Sequence, residues 1–211
     1  MSHDLIRQIC DDFLEDGKLY LEKVKNQEYY LSIDSPKSQN FCSVCDKMAK
    51  SFRFFPFHRI RLVKKMVKGL VDSGYISPCK ITFSLFGENA YMRDSGELHF
   101  SLKWLYGEGS GNFVKTVLHE ISHLRLLCFE NYGLLKEKDR LFHALFGNDK
   151  DIYVLSPIEV VALMWSVELI NICLNGCSNE KIATRYQEQV VKEREKLSNA
   201  IEIFYKKFVL Q

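Results

Sequence analysis

One short motif in the chain has the residue types and the spacing of a metal site. It is His119-Glu120-Ile121-Ser122-His123. Histidines four positions apart lie on the same face of a helix, one turn from each other, so both imidazoles can reach one metal ion. A glutamate directly after the first histidine can contact a metal-bound water without being a ligand. The motif therefore predicts a helical metal site with Glu120 as general base.

A catalytic zinc ion needs a third protein ligand, because only the fourth position is left for water. Two downstream residues are candidates. Glu159 follows Ser156-Pro157, which has the pattern of a helix start, and it lies on an otherwise apolar helix. His143 lies on a helix between His123 and Ser156. The residues alone leave both candidates open.

With these residues the chain resembles the gluzincin zinc peptidases, above all their compact forms, the minigluzincins. In that group an H-E-x-x-H helix is followed by a helix with E-x-x-A, and this chain has Glu159-Val-Val-Ala162. The ImmA-type regulatory peptidases and the catalytic domains similar to anthrax lethal factor share the layout. The resemblance covers residues 80–174, and residues 1–75 have no counterpart in it. It implies that His119, His123 and Glu159 bind Zn²⁺.

The resemblance also implies roles around the ion. Glu120 would be the catalytic carboxylate of a zinc-dependent peptidase that acts on peptide or protein substrates. Tyr153, six residues before Glu159, would stabilise the oxyanion. The strand predicted over residues 97–102 would be the edge strand that aligns an extended substrate, with Leu98 and Phe100 in it.

Alternative interpretations remain. The chain also resembles the SprT-like and YgjP-like zinc proteases, in which a third histidine followed by an aromatic completes the site. His143 with Phe146 fits that pattern, although Ala144 stands where glycine or serine is usual. A catalytically inactive zinc-binding interaction protein is a further possibility, but such a site does not need Glu120. A DNA-linked protease is weakened by the formal net charge of only +2.

The elements that must position the site are mostly helical. Apolar periodicity predicts helices over residues 2–25, 42–54, 58–73, 112–129 and 179–208, and another starting at Ser156-Pro157. A loop is expected over residues 29–40. Strands are expected over residues 80–86, 90–92 and 97–102, the last of them half-buried, with a turn at residues 94–96. The predicted fold class is α+β, a mostly helical zincin-like fold with a small, mainly antiparallel sheet beside the H-E-x-x-H helix.

The 211 residues suffice for one compact unit, with an N-terminal helical region over residues 1–75 and the zincin-like core over residues 76–211. No signal peptide is evident, and the apolar stretch over residues 160–174 is too short to span a bilayer, so a cytoplasmic protein without a membrane partner is expected. No obligate nucleic acid is expected either. The basic side chains between 59 and 68 fit the solvated face of an amphipathic helix: Arg59, Arg61, Lys64, Lys65 and Lys68.

Seven cysteines and no export signal indicate reduced thiols. Two close pairs, Cys42 with Cys45 and Cys173 with Cys177, could together make a structural zinc site. Cys173 lies inside an apolar helical run, where a buried thiol acts as a small hydrophobe, so this second site is disfavoured.

Overall fold

A computed structural model gives the structure of the chain and describes residues 3–26, 36–51, 54–85, 90–93, 96–128, 131–147, 149–175, 177 and 179–210. Several predicted elements lie partly outside these ranges: the first helix at Ser2, the loop at residues 29–35, the second helix at residues 52 and 53, the first strand at Phe86, the turn at residues 94 and 95, and the helix over residues 112–129 at Phe129. The described part of the chain is mostly helical with one small sheet, as the sequence predicts.

The α-helices follow the predicted order with shifted ends. The second helix begins at Pro36, six residues before the expected start, and it ends at Ala49. A short helix after residue 101 was not predicted. A 3₁₀ turn at Tyr153–Leu155 and a π-helical turn at Tyr205–Val209 complete the set. The helices are α1 (His3–Asn26), α2 (Pro36–Ala49), α3 (Pro56–Asp72), α4 (Leu102–Gly107), α5 (Ser110–Leu126), α6 (Tyr132–Phe146), α7 (Pro157–Asn175) and α8 (Glu180–Phe204).

The sheet is mixed, so the prediction of a mainly antiparallel sheet is wrong. Its strands are β1 (Lys80–Ser84), β2 (Ala90–Arg93) and β3 (Glu97–Ser101), in the spatial order β1-β3-β2. β1 runs parallel to β3 over five residue pairs, whereas β2 is antiparallel to β3 over four. The reason is that β1 does not pair with β2, the next strand in the chain, but with the returning strand of the β2–β3 hairpin.

β3 is therefore the central strand, which corrects two expectations. Leu98 and Phe100 are fully buried, so they do not form a substrate-binding edge. The opposite face of β3 is buried as well, because His99 lies between Thr82 and Ser84 of β1, with one ring nitrogen 3.0 Å from each hydroxyl. The strand is thus not half-buried. It also ends at Ser101, whose Oγ accepts a hydrogen bond from the backbone N–H of Trp104 and caps α4.

α5 is held between the sheet and the helix α7. Its apolar face is fully buried in the largest hydrophobic cluster, and β2 lies against the same helix. This burial fixes the orientation of α5, because rotating the helix would expose that face to water. The buried side chains are Phe113, Val114, Val117, Leu118 and Ile121.

α7 is the most apolar helix of the described residues. Its segment Pro157–Leu174 is long and apolar enough to cross a membrane by length and composition, with 18 residues and a mean hydropathy of 1.7. The expectation that this stretch is too short is therefore wrong, because the helix begins three residues earlier. Two-thirds of the segment (67%) is buried inside the protein, where it packs on α1, α5 and α8.

α2 and α3 pack into the same hydrophobic cluster as α5 and the sheet. The predicted amphipathic pattern of α3 is confirmed at Leu62, Val63 and Met66, which are buried. Arg59 is the exception among the basic residues, since it is fully buried instead of lying on the solvated face. Whether residues 1–75 form a separate functional region stays a prediction.

Candidate metal centre

Three predicted ligands come together at the contact between α5 and α7. His119 and His123 lie one turn apart on α5, with their Nε2 atoms separated by 3.2 Å. Glu159, in the first turn of α7, places Oε2 3.2 Å from His119 Nε2 and Oε1 3.4 Å from His123 Nε2. One ligand atom from each residue lies within 4.8 Å of the others. This group could hold a metal ion.

Charge is distributed unequally within this group. Burial acts to lower the pKa of His119, but the hydrogen bond and negative charge of Glu159 outweigh it and raise that pKa above its usual value. Burial lowers the pKa of His123 to about 4, assisted by the neighbouring His119 charge. Burial acts to raise the pKa of Glu159, but the hydrogen bond with His119 and the charges of His119 and His123 outweigh it and lower that pKa to about 2. The carboxylate is therefore ionised.

Glu120 lies next to His119 on α5 and is buried, with 8% of its surface exposed. Its negative charge contributes to the raised pKa of both His119 and Tyr153, so Glu120 lies near the same group of side chains.

Tyr153 reaches the group from the 3₁₀ turn directly before α7. Its hydroxyl donates a hydrogen bond to Glu159 Oε1 over 3.0 Å. Burial and the charge of Glu159 raise the pKa of Tyr153 above its usual value, so the hydroxyl stays protonated. The residue is 42% exposed, so it lies at the surface of the group.

His143 is close to the group without joining it. Its ring centroid is 5.8 Å from that of Tyr153. Its Nε2 lies 3.6 Å from Asp139 Oδ2, and its Nδ1 lies 3.2 Å from the carbonyl oxygen of Gly147. Both ring nitrogens therefore face other partners than the ligand group.

Asp139 on α6 is a supporting residue that the sequence analysis missed. Its Oδ1 accepts a hydrogen bond of 3.2 Å from the backbone N–H of Ile158, in the first turn of α7. α7 does begin at the predicted place, but Ser156, directly before Pro157, has a buried Oγ without a hydrogen-bond partner among the described residues. The spacing of Asp139 and His143 indicates an i,i+4 pair, yet nothing in the sequence connects Asp139 with α7.

The four cysteines of the disfavoured second site do not make a comparable group. Cys173 contacts Cys42 and Cys45 in the core, while the Cys177 thiol donates to the carbonyl oxygen of Asn179 over 3.4 Å. Burial raises the pKa of Cys173 well above its usual value, so this thiol stays neutral. Among the residues that the structure describes, only His119, His123 and Glu159 form a group of three His, Cys, Asp or Glu side chains close enough together to hold a metal ion.

Comparison of the chain with known proteins finds no relative. No family model matches the sequence, and neither a curated protein nor a solved structure matches the chain. The functional interpretation therefore depends on the geometry of the site and on the motif that carries it.

Proposed function

We propose that the chain is a zinc-dependent peptidase with a gluzincin-like site on a zincin-like fold. The observation that carries the proposal is the spacing of the donor groups: the two Nε2 atoms are 3.2 Å apart, His119 Nε2 lies 3.2 Å from Glu159 Oε2, and His123 Nε2 lies 3.4 Å from Glu159 Oε1. Zinc bonds of about 2.0–2.1 Å at tetrahedral angles put neighbouring donors about 3.3 Å apart. One donor atom from each of His119, His123 and Glu159 lies within 4.8 Å of the others, which supports a single zinc ion among them.

The chemistry of the donor set supports the same ion. Two imidazoles and one carboxylate are a ligand set of catalytic zinc sites, which keep an open position for water. Calcium and magnesium favour sites built from oxygen ligands, so the two histidines argue against them. His143 is not favoured as a ligand, since its ring nitrogens face Asp139 and Gly147.

The proposed mechanism uses residues already in place. Bound zinc would lower the pKa of a water molecule and polarise the substrate carbonyl. Glu120 would accept the proton of the attacking water and deliver it to the leaving amine. Tyr153 would turn its protonated hydroxyl from Glu159 to the oxyanion that develops on the carbonyl.

The substrate would bind in an extended form along β2 instead of β3. β2 is the strand that lies at the edge of the described sheet and also against α5, which carries His119 and His123. An extended peptide can add to such an edge through backbone hydrogen bonds.

The general-base role is tested with Glu120→Gln, because the amide can neither accept nor deliver the proton. The variant should keep one zinc per chain, measured by atomic emission, and should cleave a mixed peptide library at least about 10²-fold more slowly than the parent. New peptide termini are identified by mass spectrometry. Glu137→Gln, at an exposed position on α6, is the matched control and should cleave normally. If Glu120→Gln cleaved as fast as the parent, the peptidase assignment would be wrong.

A further inference from the structure

A small pocket opens beside the metal group, between α5, α7 and α8. Its volume is about 140 Å³, which suits one short side chain or a chain terminus and is too small for a larger ligand. His119 forms part of its wall, so a group bound in the pocket lies next to the site of the chemistry. The lining residues are Lys115, Thr116, His119, Ser166, Glu193 and Lys196.

The pocket carries an excess of positive charge. Lys115, one turn before His119 on α5, pairs its Nζ with Glu193 Oε1 over 2.9 Å. The side chain of Glu193 is only 8% exposed, and a carboxylate at that depth needs its paired lysine. Lys196, three residues after Glu193 on α8, is exposed and forms no ion pair with any residue that the structure describes. The residues that line the pocket thus include one carboxylate and two ammonium groups.

We propose that this pocket binds a carboxylate of the peptide substrate beside the bond to be cleaved. The inference rests on the proposed function, which it extends to a class of substrate. Lys196 pairs with the substrate carboxylate, and the Lys115–Glu193 pair holds the wall of the pocket in shape. A cationic side chain is disfavoured, because Glu193 is already engaged and Lys196 would repel it. The carboxylate belongs to an aspartate or glutamate side chain or to the C-terminus of the substrate.

Binding of two small hydroxamates to the zinc-loaded protein tests the pocket without any hydrolysis. The hydroxamate group binds zinc, and succinic monohydroxamate carries a carboxylate where butyrohydroxamate, of the same length, has a methyl group. By calorimetry, the acid should bind about tenfold more tightly than the neutral compound, as expected for a charge pair at a partly exposed site. Lys196→Glu should abolish or reverse this ratio. Lys192→Glu, one turn earlier on α8, exposed and outside the pocket, should preserve it.

Equal binding of the two compounds by the parent overturns the inference, as does an unchanged ratio in Lys196→Glu. Failure of both compounds to bind the zinc-loaded chain overturns it as well. If the ratio behaves as expected while no peptide is cleaved, the pocket stands and the peptidase proposal fails.

Matched peptides distinguish the two sources of the carboxylate. Faster cleavage of a glutamate peptide than of its glutamine analogue, both with amidated ends, assigns the pocket to side chains. Faster cleavage of a free C-terminal acid than of its amide assigns it to the chain terminus. Cleavage at equal rates within both pairs contradicts a carboxylate pocket.

Discussion

At the scale of single residues, the candidate metal group depends on three side chains whose ligand atoms lie close together. Glu159 Oε2 lies 3.2 Å from His119 Nε2, while burial keeps His123 neutral by lowering its pKa to about 4. Neutral imidazole and ionised carboxylate are the forms that bind metal, and His123 and Glu159 are in these forms. His143 does not belong to this group, because its ring nitrogens lie against Asp139 and the carbonyl oxygen of Gly147.

Removing the candidate ligands one at a time separates their roles. Glu159→Ala should lose stoichiometric zinc, because it removes a ligand from the group. His143→Ala should keep zinc, with affinity reduced by about tenfold at most, since it supports Tyr153 from outside. Zinc content after gel filtration is the measurement. Full zinc in Glu159→Ala together with loss in His143→Ala would move the site to the SprT-like arrangement.

At the scale of elements, α6 fixes the start of α7 and so the position of Glu159. Asp139 Oδ1 accepts the hydrogen bond from Ile158 N–H, whereas the buried Ser156 Oγ has no partner among the described residues. Because Ile158 directly precedes Glu159, the carboxylate of Asp139 holds the turn that aims the proposed third ligand.

Loss of this cap should affect both folding and metal binding. Asp139→Ala should lower the free energy of unfolding by about 1 kcal/mol, as for other lost helix caps, and should weaken zinc binding by about tenfold. Urea denaturation and a zinc titration with a chromophoric chelator measure the two effects. Glu137→Ala, exposed on the same helix, is the control and should change neither. Unaltered zinc affinity in Asp139→Ala would show that the cap does not position Glu159.

Elements formed by interactions between residues close in the sequence could be predicted, whereas those formed by residues far apart in the sequence could not. α5 and the start of α7 could be predicted because helical periodicity and the Ser156-Pro157 pattern are local in the chain. Sheet order could not, because the pairing of β1 with β3 skips the strand between them. The burial of His99 on β3 could not be predicted for the same reason, because its hydrogen-bond partners Thr82 and Ser84 lie on another strand.

At the scale of the whole molecule, Arg59 ties the N-terminal helices to the segment before α5. Its Nη1 donates to the carbonyl oxygens of Leu105 and Glu108, each over 2.7 Å. Its Nε donates to Ser51 Oγ over 3.2 Å, and the guanidinium lies 4.5 Å from the ring centre of Phe113. Sequence periodicity placed Arg59 on a solvated face, because a buried cation is recognisable only when its distant acceptors are known.

Arg59 should therefore contribute far more to stability than its basic neighbours. Arg59→Ala leaves buried carbonyl groups without donors and should lower the free energy of unfolding by about 3–5 kcal/mol. Arg61→Ala, exposed on the same helix, should change it by about 0.5 kcal/mol or less. Chemical denaturation of both variants measures the difference. Equal effects would mean that Arg59 does not connect the two parts of the chain.

The zinc-edge X-ray absorption spectrum of the zinc-loaded protein tests the central claim most directly. The account predicts nitrogen and oxygen neighbours at about 2.0–2.1 Å, with the outer-shell scattering of two imidazoles and no sulfur. Both imidazole signals should disappear as bound zinc is lost in a His119→Ala, His123→Ala double variant. Sulfur neighbours at about 2.3 Å would contradict the account, because they would place the zinc among the cysteines of α2 and α7 instead.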